Sequence, residues 1–302
     1  MTAIRTVLLA GVAAIAMTSG VFAQDNVLRI GLLGGENEAD RLRDNQCLVD
    51  LMKSELGFSD VQLFPAADYN GVIQGLLGGT LDYAEMGASA YAAVYLQDPN
   101  AVEPILTTEQ VDGSSGYYSI MLARKDSGIE TLEDMKGKKL GFADPDSASG
   151  YLIPVVALPN DIGMPVEEYF SETGFGGGHE NLVLAVLDEQ FDAGVTWSSG
   201  VGEFSEGYTS GNIRSMVDKG MLDMEDVNEI WRSPLIPNGP IVVRSSLPQE
   251  TKDAIEAFLK ALPETNYECF RAAQAGDYNG FVEVDAEFYM PVIESRRATI
   301  GG

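Results

Sequence analysis

Histidine and cysteine are almost missing from this chain. Of 302 residues, one is a histidine, His179, and two are cysteines, Cys47 and Cys269. That scarcity excludes the usual zinc sites, which draw three or four ligands from such side chains. The sequence also lacks a G-x-S-x-G elbow and a Walker A loop, so familiar routes to acyl or phosphoryl transfer have no anchor. Basic residues are few as well: 19 Lys and Arg stand against 46 Asp and Glu, for a net charge of −27. Such a surface repels nucleic-acid phosphates and anionic lipid, so no nucleic-acid partner is expected. It also works against long-range capture of an anion, although salt confines that repulsion to about 10 Å. No segment after the N-terminal leader reaches the ~18 uninterrupted apolar residues of a membrane span. No metal or cofactor is expected, and no enzymatic activity.

What is present begins with a leader. Arg5 supplies a short positive region, Val7 to Met17 an apolar one, and Val21-Phe22-Ala23 a small-residue cleavage site. Residues 1–23 therefore read as a signal peptide cleaved after Ala23, with export to the periplasm of a Gram-negative cell. No cysteine near that site would carry a lipoprotein anchor. An even cysteine count in an exported protein points to a disulfide, Cys47 with Cys269. The alternative is a pair of free buried thiols.

The rest is long enough for two domains, and its 45% hydrophobic content is that of a globular protein. Strand and helix patterns alternate. Val27 to Leu33, Val61 to Phe64 and Tyr83 to Met86 read as strands, with helices through Leu48–Leu56, Tyr69–Leu77 and after Ser89. A second unit follows: strands at Tyr118–Ala123, Lys139–Phe142 and Phe191–Trp197, and helices from Ser149 to about Leu158 and over Asn181–Leu187. Strands at Ile230–Ser233 and Ile241–Val243 bracket a proline-rich loop. The tail reads as helical over Gln249–Ala261, Asn266–Ala273 and Glu283–Arg297. The pattern predicts an α/β protein of two lobes, each a mainly parallel sheet flanked by helices, with the chain crossing twice at a hinge. Lobe 1 is expected to hold residues 24–118 plus 241–302, and lobe 2 residues 119–240. A tail returning to lobe 1 would bring Cys269 to Cys47.

Within lobe 2, the run Asp144-Pro145-Asp146-Ser147-Ala148-Ser149-Gly150-Tyr151 stands out. Asp-Pro makes a turn, Ser and Asp cap helix starts, and Pro154 suits a first helical turn. The unpaired N–H groups and positive dipole end of such a start hold anions.

This run is one of several ordered motifs that resemble a known family. The others are Gly34-Gly35-Glu36-Asn37, Asp68-Tyr69-Asn70-Gly71-Val72-Ile73, Asp112-Gly113-Ser114-Ser115-Gly116-Tyr117-Tyr118, Gly178-His179-Glu180-Asn181 and Ser233-Pro234-Leu235-Ile236-Pro237. Together they resemble the phosphonate-binding (PhnD-like) substrate-binding proteins of phosphate/phosphite/phosphonate ABC transporters, over nearly all of the mature chain. The resemblance implies a type II two-lobe periplasmic binding protein, expected to be a monomer, that closes on a small phosphorus oxyanion and delivers it to a permease. It implies that Ser147, Ala148, Ser149 and Gly150 hold the anion, Ala148 standing where many members carry threonine. Tyr69 and Tyr117 would reach across from the first lobe and hinge, and His179 would add a donor. Trp197 is a weaker candidate for covering the organic tail.

Taken singly, each has an ordinary reading too: the serines as caps, Tyr69 and Trp197 as packing, His179 as a satisfied loop residue. Family members that bind aminoalkylphosphonates hold the amine with acidic side chains, and the matching positions here are Ser199 and Gly239. Glu36 or Glu203 could substitute. The ligand thus stays open among 2-aminoethylphosphonate, methylphosphonate, phosphite and other alkylphosphonates. The rivals are a binding protein for phosphate, sulfate or another oxyanion, a hydrolase of phosphonates or phosphate esters, and a structural periplasmic protein.

Overall fold

The computed structural model describes residues 26–300; the expected leader and its cleavage after Ala23 lie outside them. The chain first lays down β1 (Val27–Leu32), β2 (Asp60–Pro65), β3 (Tyr83–Glu85) and β4 (Val102–Gln110). It then builds a second sheet from β5 (Gly116–Arg124), β6 (Lys139–Phe142), β7 (Glu172–Phe175), β8 (Ala193–Ser198), β9 (Val227–Arg232) and β10 (Ile236–Pro237). It returns with β11 (Pro240–Arg244) and β12 (Tyr278–Glu283) to the first. The orders are β12-β4-β11-β3-β1-β2 and β10-β5-β8-β6-β7, with β9 also on β5.

Both sheets are mixed rather than mainly parallel. β1 pairs parallel with β2 and β3, and β6 with β7 and β8, through helical crossovers. The pairings made by β4, β5 and β11 are antiparallel. These strands flank the two crossings. A strand leaving one lobe lies beside one returning to it, so the two run in opposite senses.

Helices α1 (Glu38–Leu56), α2 (Tyr69–Leu77) and α3 (Ala88–Gln97) serve the first sheet. Helices α4 (Ile153–Ile162), α5 (Val166–Tyr169), α6 (His179–Leu187) and α7 (Asn212–Asp218) serve the second. The tail adds α8 (Gln249–Thr265), α9 (Tyr267–Ala273) and α10 (Met290–Ile300). Asn37 starts α1 by accepting from the Asp40 N–H, and Gly57 ends it in the left-handed region at φ 72°. Asn266 starts α9 in the same way, accepting from Cys269 N at 3.2 Å. The two helices pack over a core that includes Leu28, Ile30, Met52 and Phe270. There Cys47 and Cys269 form a disulfide, with Cα atoms 5.8 Å apart. No helix among the described residues is long and apolar enough to cross a membrane.

The tail differs from its expected form. Residues read as the start of a last helix are instead the end of β12, then a short 3₁₀ turn over Glu287–Tyr289. The helix itself opens at Met290, where Pro291 falls in the first turn and its missing N–H costs nothing. It packs on α3 in the first lobe, next to the Tyr91–Tyr289 edge contact at 5.2 Å.

Candidate functional site

Between the sheets lies a cavity of about 250 Å³. Its second-lobe wall is the Asp144-to-Tyr151 run. After Ser147 the backbone makes one π-helical turn, Ala148–Leu152, before α4. Such turns cluster at functional sites because they leave backbone groups out of the regular ladder. Ser147 caps the turn, its Oγ accepting from Gly150 N at 2.9 Å. The Ala148 and Ser149 N–H groups make no turn or loop bond to another backbone carbonyl among the described residues, as expected of a helix start, and the Ser149 N–H is directed at the Tyr117 phenol. Ser119 Oγ donates to the Ser149 carbonyl at 2.6 Å and fixes the turn from below.

Six of the sequence-predicted residues line this cavity: Tyr69, Tyr117, Ser147, Ser149, His179 and Trp197. Tyr69 opens α2, which Asp68 caps by accepting from Gly71 N at 2.9 Å. Burial raises the Tyr69 phenol well above its ordinary range, with Glu36 adding to the effect and the Ser147 hydroxyl opposing it. Burial likewise pushes Tyr117 up to about 12, against hydrogen bonding from Ser149. Both phenols therefore stay protonated and able to donate. Trp197 meets the Tyr117 ring edge-on at 5.6 Å. His179 begins α6 and is 2% exposed. Burial lowers its pKa to about 3, so it is neutral at ordinary pH. Its Nε2 lies 3.0 Å from Ser147 Oγ, and its Nδ1 3.4 Å from Thr196 Oγ1.

Ala148 and Gly150 take other places. The Ala148 side chain packs into the core with Leu152. The Gly150 N–H is already engaged by Ser147. A Cβ at Gly150 would sit 2.5 Å from Ala143 Cβ and 3.0 Å from His179 Cε1, so glycine keeps room for the imidazole.

The acidic residues sort clearly. Glu36 lines the cavity, and burial pushes its carboxyl up to about 7 against the pull of Arg41. Glu85, which the sequence reading missed, also lines it. It is exposed to the cleft, but the protein around the cleft displaces enough water to raise its pKa to about 7, opposed by the Gln274 amide that donates to it at 2.9 Å. Glu203 is exposed and outside the cavity lining. Ser199 turns to Thr209, with the two hydroxyls 3.0 Å apart. Gly239 lines the cavity, but a Cβ there would lie 1.8 Å from the Met86 carbonyl oxygen, so no side chain fits. Among the described residues, no three His, Cys, Asp or Glu are placed to hold a metal ion.

The lobes meet at the mouth of the cavity. Gly35, after β1, touches Gly178, before α6: a Cβ on Gly178 would be 2.0 Å from Gly35 Cα. Lys219, after α7, reaches Glu180 of its own lobe at 3.0 Å and Asp40 of α1 at 3.4 Å. Arg271 of α9 pairs with Asp218 at 2.9 Å, and Arg296 of α10 with Asp146. The cations near the cavity are thus neutralised by carboxylates, or spent on backbone carbonyls as Arg41 is at Leu32, Leu33 and Ala66. The anion corner itself presents neutral donors only.

Similarity to known proteins places the chain in a family. The model of a family described as "ABC transporter, phosphonate, periplasmic substrate-binding protein" matches residues 30–289. The phosphonates-binding periplasmic protein of Escherichia coli K12 is 32% identical over 78% of this chain and 66% of its own length. The phosphate-import protein PhnD of Mycolicibacterium smegmatis is 27% identical over 86% of this chain and 76% of its own. A crystal structure of a binding-protein component of an ABC phosphonate transporter from Pseudomonas aeruginosa superposes with a TM-score of 0.75 at 26% identity, covering 91% of this chain and 88% of that one. PhnD1 from Prochlorococcus marinus, solved with methylphosphonate, has the same fold, with a TM-score of 0.74 at 17% identity over 91% and 98% of the two chains. On this evidence the chain belongs to the family of periplasmic substrate-binding proteins of phosphonate ABC transporters.

Proposed function

We propose that the protein captures a phosphonate, or a closely related phosphorus oxyanion, in the interlobe cavity and delivers it to an ABC permease. The observation that carries this reading is the turn at Ser147–Ser149: two serines at a helix start line a cavity that two protonated tyrosines also line. A tetrahedral phosphorus anion offers three strong acceptor oxygens. Neutral donors satisfy them without a buried counter-ion and its desolvation cost. Each hydrogen bond to a charged oxygen nets about 1.5–3 kcal/mol, so a few suffice for micromolar binding, which needs roughly −8 kcal/mol. The relatives named for phosphonates and for phosphate handle anions of this class.

Glu36 and Glu85 in the cavity wall favour a ligand whose carbon substituent carries an ammonium group, such as 2-aminoethylphosphonate, over bare phosphite or phosphate. Lobe 1 (residues 24–118 plus 241–302) and lobe 2 (119–240) close around the ligand, and the closed, monomeric form is what the permease receives. Residues 1–23 direct export and are removed by cleavage after Ala23. The protein binds and does not turn its ligand over.

Competitive calorimetry with 2-aminoethylphosphonate, methylphosphonate, phosphite, phosphate and sulfate tests this. The expected order puts 2-aminoethylphosphonate first and sulfate last. Tightest binding of sulfate, or release of inorganic phosphate from any of them, overturns it.

A further inference from the structure

From Ser147 a buried chain of polar groups runs through His179 to Thr196 and Asn212, and Asn212 itself reaches the cavity lining; the last two have no part in anion binding as described so far. Asn212 opens α7 and is 3% exposed; Thr196, on β8, is fully buried. The Asn212 Nδ2 donates to Thr196 Oγ1 at 2.9 Å and also lies 3.4 Å from Met216 Sδ. A thioether sulfur has no proton and can only accept. It therefore fixes which end of the Asn212 amide faces inward, the nitrogen. Because Thr196 Oγ1 accepts from that amide, its own proton is free to turn to His179 Nδ1, 3.4 Å away. When it does so, Nδ1 is the acceptor of the ring and the proton of the neutral imidazole sits on Nε2. In that tautomer Nε2–H donates to Ser147 Oγ at 3.0 Å, and Gly150 N–H donates to the same oxygen at 2.9 Å. With both acceptor positions of Ser147 filled, its hydroxyl proton is left to the cavity side, where the Tyr69 phenol also lies.

We propose that Asn212 and Thr196 are positioning residues that set the tautomer of His179 and thereby make Ser147 an obligate donor toward the ligand. Without the relay, the ring can carry its proton on Nδ1. Nε2 then accepts the Ser147 proton, and the serine presents a lone pair to an anionic oxygen. The polarity of one buried amide, placed on α7, decides whether the anion site attracts or repels at that corner. This rests on the anion-site reading only for its consequence; the tautomer is a property of the ligand-free protein.

The single histidine makes the test direct. Nitrogen-15 NMR of the imidazole gives one pair of signals, and Nε2 is expected to be the protonated nitrogen in the unliganded wild type. Thr196→Val removes the donor to Nδ1 and is expected to shift the ring toward the Nδ1–H form and to weaken methylphosphonate roughly tenfold. Thr196→Ser keeps the hydroxyl and is expected to restore both. Asn212→Asp reverses the relay, since a carboxylate accepts from Thr196, and is expected to move the tautomer further than Thr196→Val. An unchanged imidazole pattern in Thr196→Val and Asn212→Asp overturns the proposal. So does a tautomer shift with methylphosphonate affinity within twofold of wild type. If the wild type binds no phosphorus oxyanion while the tautomer responds as described, the anion-site reading fails and the relay stands.

Discussion

Substituting Gly178 by alanine is expected to stop the lobes from closing fully. The added Cβ would lie 2.0 Å from Gly35 Cα and 2.4 Å from Gly35 O, both backbone atoms of the opposite lobe. Backbone atoms cannot swing aside as the end of a side chain can. Carbon contacts need about 3.5 Å, so the lip would have to part by roughly 1.5 Å. A donor on the first lobe, such as Tyr69, then falls outside the ~3.2 Å reach of a good hydrogen bond to an anion held by the second lobe. Losing one such bond, at about 1.5–3 kcal/mol, weakens binding roughly 10- to 100-fold.

Alanine at φ 129° is strained as well, by about 1–3 kcal/mol, so the melting temperature also falls. Gly177→Ala separates the two effects. That residue is at φ 79°, which also strains alanine, but nothing lies within 4 Å of its Cβ. Calorimetric titration with 2-aminoethylphosphonate or methylphosphonate, well below both melting points, is the assay. Gly177→Ala should lose stability and keep its affinity, while Gly178→Ala should lose both. Equal affinities for the two variants would refute the closure argument.

Ser149→Ala is expected to weaken phosphonate binding more than tenfold by calorimetry, and a change below twofold would contradict the assigned anion corner. The Glu36 carboxyl sits near 7 when folded against an ordinary 4.5, so between those values the folded protein keeps a proton that the unfolded chain releases. The Glu36 contribution to ligand-free stability should therefore fall as pH rises from 4.5 through 7; Glu85, also near 7, adds in the same sense, and His179, near 3 against 6.5, opposes between those two values. Glu36→Gln should make the stability–pH slope over this range more positive than in the wild type in melting curves, and an unaltered slope would remove Glu36 from the account. The Cys47–Cys269 bridge spans 222 residues and is worth about 5 kcal/mol in the chain-entropy model. Reduction should lower the melting temperature; two thiols titrating in the unfolded, unreduced protein would contradict the bridge.

Much of the frame was legible because it depends on local chemistry. The alternation of short apolar runs with helical spacing marked β1, β6, α2 and most of the other elements, since burying one face imposes its period on the sequence. The Ser147 cap was legible because capping needs only a short polar side chain before a helix. Motif order pointed to Tyr69, Tyr117 and His179. Several strands left no such signal. β4 contains Pro104 and a polar end, β7 is a short edge strand, and β12 carries Asn279-Gly280; each is strand only because a neighbour offers it a ladder. The mixed pairing of the sheets is likewise a property of the hinge.

The sequence alone determined the alternation of strands and helices, the capped turn and the overall excess of acidic residues. Only the tertiary structure decided that Glu85 lines the cavity and Glu203 does not. It also decided that Gly239 has no room for an acid, and that Gly35 meets Gly178 at the mouth. It put Asn212, Thr196 and His179, far apart in sequence, in one line behind Ser147. The reason is physical: caps and periods act within a few residues, whereas cavities, steric limits and hydrogen-bond polarity arise where distant segments are pressed together.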